Sequence, residues 1–302
     1  METLKLKSNF DDLSIAVAML KPQNGKAKAI FQIVHGMAEH KERYYPFMEY
    51  LCAQGYVCVI HDHRGHGESV KSEQDLGFMY DGGANALVDD VLSVQNWAKE
   101  QFPGLPVYLF GHSMGSMVVR AFTRLYDDRI SKLIVCGCPS DNKGKKAGIL
   151  LANIIGTLKG WNKRSNVLNQ LAFGKYGELF EDGNPLAWLS ANKLNTLAYY
   201  KDPLCGFVFT ANGFKNLFKI MELCYSKKGW KMNNPSLEIM FISGGDDPCR
   251  ISDKDFLKAV NFMKDRGYKK VSYHLYPGLR HEILLEDEPK VWSDISDFIN
   301  EQ

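Results

Sequence analysis

No run in this 302-residue chain approaches the roughly 20 apolar residues that a bilayer-spanning helix needs. The longest apolar stretch, Ile149 to Ile155, is short and broken by Asn153. The N-terminus, Met1-Glu-Thr-Leu-Lys-Leu-Lys7, has no apolar core behind its basic residues, so no secretory leader is expected. An excess of one charge is missing too. The 37 Lys and Arg stand against 35 Asp and Glu, a net charge of +2, without the strongly basic balance of nucleic-acid-binding domains. The seven cysteines (Cys52, Cys58, Cys136, Cys138, Cys205, Cys224 and Cys249) are an odd set with no even framework. Most sit in apolar runs, where a thiol acts as a small core residue. Reduced thiols fit an intracellular, cytoplasmic protein. Cys136-Gly137-Cys138 lacks the two-residue gap of the common zinc pairs and has no complementing pair, so no metal is expected. Internal repeats and low-complexity segments are absent.

The chain is 45% hydrophobic and 24% charged, the profile of a globular protein, and long enough for one large domain or a domain with an insertion. Strand-like β-branched or apolar runs occur at 13–20, 29–34, 57–60, 107–110 and 133–136. Between them Leu87, Val91, Val94 and Ala98 mark one face of a helix. The alternation pauses after Pro139 and resumes at 237–242, followed by a helix around Phe256, Leu257, Val260 and Met263, a strand at 271–276, and a last helix with Val291, Ile295, Phe298 and Ile299 on one face. This predicts an α/β fold with a mostly parallel sheet covered on both faces. The core comprises residues 1–140 and 232–302, interrupted by an inserted helical cap over 141–231.

Gly111-His112-Ser113-Met114-Gly115 follows the strand ending at Phe110 and precedes the helical run from Met117 to Tyr126. The context carries more weight than the Gly-x-Ser-x-Gly pattern. A sharp strand-to-helix turn leaves no room for Cβ atoms at Gly111 and Gly115, and it exposes the serine hydroxyl beside a helix N-terminus. Ser113 is therefore the candidate nucleophile. A serine hydroxyl needs a base to take its proton, and on such an elbow the partners follow in the order serine, acid, histidine. Two histidines come after His112. His274 lies within the strand 271–276, whereas His281 lies in the loop behind it, before the last helix, and is the candidate base. For the acid, Ser243-Gly-Gly-Asp-Asp-Pro-Cys249 offers two carboxylates. The spacing from Gly244 and the proline that follows favour Asp247, with Asp246 as the alternative. An oxyanion needs two preorganised N–H donors. The amide after the nucleophile, Met114, is one candidate. Met37, after Gly36 in the loop His35 to His40, is the other. The histidines of His61-Asp-His-Arg-Gly-His-Gly67 lack helical metal-ligand spacing, and the two glycines suit a tightly turning loop.

Taken together, these motifs resemble the monoacylglycerol lipase and lysophospholipase branch of the α/β hydrolases, grouped with serine aminopeptidase-like hydrolases. The resemblance runs through His35-Gly-Met-Ala-Glu-His40 with Arg43-Tyr44, Asp62-His-Arg-Gly-His-Gly-Glu-Ser69, Gly111–Gly115, Asp202-Pro-Leu-Cys-Gly-Phe207 and Tyr276-Pro-Gly-Leu-Arg-His-Glu282. It implies the α/β-hydrolase fold, a cap that admits an acyl chain, a Ser/Asp/His triad, and ester hydrolysis without a cofactor. Two features depart from the pattern: bulky Met37 in the oxyanion loop, and Trp188-Leu-Ser-Ala-Asn192, which lacks the Arg-Asp often found after that tryptophan. The rival functions are a small-ester carboxylesterase, an amidase or aminopeptidase using the same residues, and a non-catalytic ligand-binding homologue.

The segment 141–231 carries 14 Lys and Arg against 6 Asp and Glu, a local charge of +8 that leaves −6 for the remainder. Its basic residues flank the apolar runs Ile149–Leu158 and Phe214, Leu217, Phe218 and Met221. A basic amphipathic cap leaning on anionic lipid is therefore expected.

Overall fold

The computed structural model describes residues 1–23, 26–181, 183–286 and 288–301. Eight strands form one sheet: β1 (Glu2–Lys7), β2 (Ser14–Leu20), β3 (Ile30–Val34), β4 (Val57–His61), β5 (Val107–His112), β6 (Lys132–Cys136), β7 (Glu238–Gly244) and β8 (Lys270–Tyr276). Their spatial order is β1-β2-β4-β3-β5-β6-β7-β8. Strands β3 to β8 run parallel to one another, while β2 is antiparallel to both β1 and β4. The mostly parallel sheet is thus as the alternation predicts. The seven apolar runs named from the sequence all become strands. β1 was not among them.

Near-continuous apolar strands are what a sheet buried on both faces requires. Alternate residues of the central strands enter two separate cores. Val57 and Val59 of β4, Leu109 of β5, Leu133 and Val135 of β6, and Phe241 of β7 face one side. Cys58, Ile60, Phe110, Ile134, Cys136 and Ile242 face the other. The first face is covered by α2 (Gly83–Gln101), α3 (Met114–Tyr126) and α8 (Asp253–Arg266), the second by α1 (Tyr45–Ala53) and α9 (Pro289–Asn300).

Between β6 and β7 lie α4 (Lys145–Lys159), α5 (Asn166–Phe173), α6 (Lys193–Lys201) and α7 (Ala211–Cys224). The last of these bridges the inserted helices and the core. α7 packs against α2 and α3, and Phe214, Leu217, Ile220 and Cys224 are buried in the first core. It also packs against α4, and Leu217 and Met221 border the cavity in front of Ser113. Phe214, Leu217 and Met221 are therefore buried and not on the protein's outer surface. The exposed apolar side chains sit elsewhere: Leu150, Ile154 and Leu158 on α4, Val167 and Leu171 on α5, and Leu194 and Leu197 on α6. Among the described residues no helix is long and apolar enough to cross a membrane.

Candidate active site

β5 ends at His112, α3 starts at Met114, and Ser113 between them takes φ 52° and ψ −117°. A non-glycine residue at positive φ is strained and needs its surroundings to hold it. The two glycines make those surroundings possible. A Cβ on Gly111 would lie 2.5 Å from the Gly115 carbonyl oxygen, and one on Gly115 would lie 2.1 Å from the Val34 carbonyl oxygen. The elbow therefore presses against β3, and any side chain at either position would push it away.

Ser113 Oγ lies 2.8 Å from His281 Nε2. His281 Nδ1 lies 3.0 Å from Asp247 Oδ2. Asp247 also accepts the Ser243 hydroxyl at 3.0 Å and the Cys249 amide at 2.8 Å. The three residues come from the β5–α3 elbow, the loop after β8 and the loop after β7, so the parallel order of these strands brings them to one end of the sheet. Asp246 is exposed and turned outward. His274, on β8, is also exposed. His281 and Asp247 are buried. Burial by itself would lower the imidazole's pKa. The Asp247 charge, with Cys249 and the hydrogen bonds to both, outweighs it and raises that pKa well above 6.5. Burial would likewise raise the Asp247 carboxyl, but the His281 charge and the hydrogen bonds from His281, the Cys249 amide and Ser243 hold it below the usual value.

Met37 and Met114 border the same cavity as Ser113. Among the described residues neither backbone amide has an acceptor. Gly36 allows the loop to come close, since a Cβ there would stand 3.2 Å from Ser113 Cβ and 2.5 Å from a Glu39 carboxylate oxygen.

Behind the loop lies a buried network that sequence reasoning missed. Glu39 accepts the Gly36 amide at 2.5 Å and the Tyr44 hydroxyl at 2.9 Å, and lies 3.2 Å from His112 Nδ1. Arg43 bonds Glu39 at 2.7 Å and grips both oxygens of Glu282 at 2.6 and 2.8 Å. Although burial would raise the Glu39 carboxyl, His112 and Arg43 hold it well below its usual range. Glu39, Arg43 and Tyr44 stand inside the quoted motif, and charged residues beside the candidate oxyanion loop were the available signal. Glu282 ends another quoted motif, but nothing local pairs it with Arg43, 239 positions away.

The histidine-rich loop is structural. His35, His61, His63 and His66 are fully buried. Arg64 fastens the loop to Asp90 and Asp11, and Asp62 binds the Lys41 ammonium at 2.9 Å. Among the described residues two groups bring three ligand-type atoms within 4.8 Å of one another: His40, Asp202 and Cys205, and then Asp247, Cys249 and His281. In each, a histidine–aspartate hydrogen bond of 2.8 or 3.0 Å already occupies the space between two of the donors.

The cavity in front of Ser113 has a volume of about 970 Å³. Met117, Leu151, Leu168, Phe173, Leu217 and Trp188 contribute apolar walls, so α3 and α7 of the core and the helices above them share it.

The family described as serine aminopeptidase, S33, matches residues 25–288. The chain belongs to this family of α/β hydrolases. The monoglyceride lipase of Rattus norvegicus is 34% identical over 299 residues, covering 97% of this chain and 87% of that protein. A monoacylglycerol lipase of Mycolicibacterium smegmatis is 25% identical over 282 residues, covering 90% and 88%. A thermostable carboxyl esterase from Bacillus coagulans, solved with glycerol, superposes with a TM-score of 0.90 at 24% identity, over 99% of this chain and 97% of that one. This S33-family chain is therefore a carboxylic ester hydrolase with the fold that its motifs predict.

Proposed function

We propose that this enzyme hydrolyses monoacylglycerol- or lysophospholipid-type acyl esters, with Ser113 as nucleophile, His281 as general base, Asp247 as the carboxylate that orients it, and the amides of Met37 and Met114 as oxyanion donors. The observation that carries the reading is the hydrogen-bonded line Ser113–His281–Asp247 opening onto a large apolar cavity. His281 takes the hydroxyl proton as Ser113 attacks the ester carbonyl, and the two amides receive the charge that develops on the carbonyl oxygen. His281 then protonates the leaving alcohol. Water, activated by the same imidazole, releases the acid from the acyl-enzyme.

An acyl chain is the natural occupant of such walls. Each buried methylene contributes about 0.8 kcal/mol, so specificity constants for p-nitrophenyl esters should climb with chain length until the cavity is full. Activity profiling over monoacylglycerols, lysophospholipids, short esters and aminoacyl amides tests the substrate class. A profile falling from acetate upward would identify a small-ester carboxylesterase, and preference for aminoacyl amides an aminopeptidase. A dehalogenase or epoxide hydrolase is disfavoured because position 113 carries a serine where those reactions need a carboxylate.

The cap in this reading is the part of 141–231 that holds α4, α5 and α6, with α7 assigned to the core. Leu150, Ile154 and Leu158 follow one another at four-residue intervals on one exposed face of α4, and basic residues such as Lys145, Lys146 and Lys159 lie on the same helix. This pattern supports peripheral contact with anionic lipid. Co-sedimentation with vesicles should increase with anionic lipid and fall with salt. Retention indifferent to both removes this part of the proposal.

A further inference from the structure

Four donors converge on one carboxylate that takes no part in the chemistry above. Glu286 lies five residues after His281. It accepts the Ser190 hydroxyl at 2.7 Å, the Ala191 amide at 2.8 Å, the Asn192 amide at 2.9 Å and the Arg280 amide at 3.2 Å. Three of these donors belong to the segment that leads into α6. The fourth immediately precedes the histidine.

Further bonds run between the same two segments. Trp188 accepts the His281 amide at 3.4 Å, Leu189 accepts the Glu282 amide at 2.7 Å, and the carbonyl of Ala187 accepts the Arg280 guanidinium at 2.7 Å. The Trp188 ring centre lies 5.2 Å from that of the imidazole. The loop bearing His281 has left β8 and is not paired in the sheet. Its backbone donors are satisfied by residues 188 and 189, and a buried backbone donor must find such a partner. Of these ties the carboxylate is the strongest, because its acceptors carry a full charge.

We infer that Glu286 is a positioning residue: its carboxylate locks segment 187–192 onto the loop carrying His281, so that this segment sets where the imidazole stands. The inference rests on the assignment of His281 as base. It also separates two jobs within the region above the sheet. Segment 187–192 is a fixed clamp, and substrate entry belongs to other parts of the wall.

The test compares Glu286→Ala, Glu286→Gln and Ser190→Ala with the parent enzyme on p-nitrophenyl acetate and p-nitrophenyl decanoate, with Tm measured alongside. A displacement of about 1 Å at a reacting group can cost about a hundredfold, so kcat of Glu286→Ala should fall about 10- to 100-fold, by the same factor on both esters, with KM changed less than about twofold. Glu286→Gln keeps one acceptor oxygen and should recover part of the loss. Ser190→Ala removes a single donor and should cost about 2- to 10-fold. It decides the question if Glu286→Ala does not fold. A loss confined to the decanoate would show that Glu286 only shapes the acyl wall, and unchanged kcat in folded variants would show that it does neither. Both outcomes overturn the inference. His281→Ala keeps the two ideas apart. If it stays active, the base assignment itself falls. If it is inactive while the Glu286 and Ser190 variants keep full kcat, only the clamp is refuted.

Discussion

His112 Nε2 lies 3.2 Å from the carbonyl oxygen of His281. A carbonyl can only accept, so Nε2 carries a proton, while Nδ1 faces the Tyr44 hydroxyl at 3.0 Å and Glu39 at 3.2 Å. His112 in the Gly-x-Ser-x-Gly motif thus ties the loop of the proposed oxyanion donor Met37 to the loop of the proposed base. Replacing His112 with Ala should lower kcat about tenfold or more, the scale of losing one buried hydrogen bond to a positioned group. KM should move less. Steady-state kinetics on one ester checks this; an unchanged kcat contradicts it.

The elbow glycines are tested by stability. Gly115→Ala would bring a methyl group to 2.1 Å from the Val34 carbonyl oxygen, a backbone atom that cannot step aside. Overpacking of this kind costs about 1–3 kcal/mol or more, which in a chain of this size lowers Tm by roughly 3–10 °C. Gly104→Ala is the control. Its φ is positive, as that of Gly115 is not, but nothing lies within 4 Å of its added Cβ, so it should show only the smaller cost of backbone strain. Thermal melts of both variants give the comparison, and equal losses would contradict the steric account.

The pH–rate profile follows from the raised His281 pKa. A general base works only when neutral, so kcat/KM should rise with pH as the imidazolium loses its proton, with a midpoint above 6.5. Asp247→Asn removes the charge that holds the proton on. The midpoint should move down, and turnover should drop on the order of 10⁴-fold. Asp246→Asn should leave both nearly unchanged. A profile in which Asp246→Asn is the damaging change would transfer the role to that residue.

The buried histidines set a separate acid limit. Burial pushes His61 and His66 down to about 4, and His35 and His63 well below 6.5. In this range the unfolded chain binds more protons than the folded one. The stability from keeping these rings neutral is therefore complete above about pH 6.5 and is lost as pH falls towards 4. Tm should decline steeply over that interval, and His61→Gln, which cannot charge, should flatten the decline. A flat Tm from pH 7 to 4.5 would contradict this.

Much of the fold was legible because its central strands are buried on both faces and read as unbroken apolar runs. Strand β1 was not, because it lies at the sheet edge and alternates exposed with half-buried residues, among them Lys5 and Lys7. The burial of α7 was not legible for a related reason: an apolar stripe beside lysines looks the same whether it meets other helices or a lipid surface. Only the packing of Phe214 and Leu217 under α2 and α3 tells the two apart. At the site, Ser113, His281 and Asp247 each carry a local signature in a turn or a loop after a strand. The pairing of Arg43 with Glu282, and that of Glu286 with residues 190–192, carries none. Their meaning is a long-range contact, and neither partner is unusual in its own neighbourhood.

The most direct measurement is the mass of the protein quenched during turnover of a p-nitrophenyl ester. The account predicts one acyl group, located by peptide mapping on Ser113 and absent in Ser113→Ala together with hydrolytic activity. An acyl group mapped to another residue, or a Ser113→Ala variant that hydrolyses the ester at the parent rate, would contradict it.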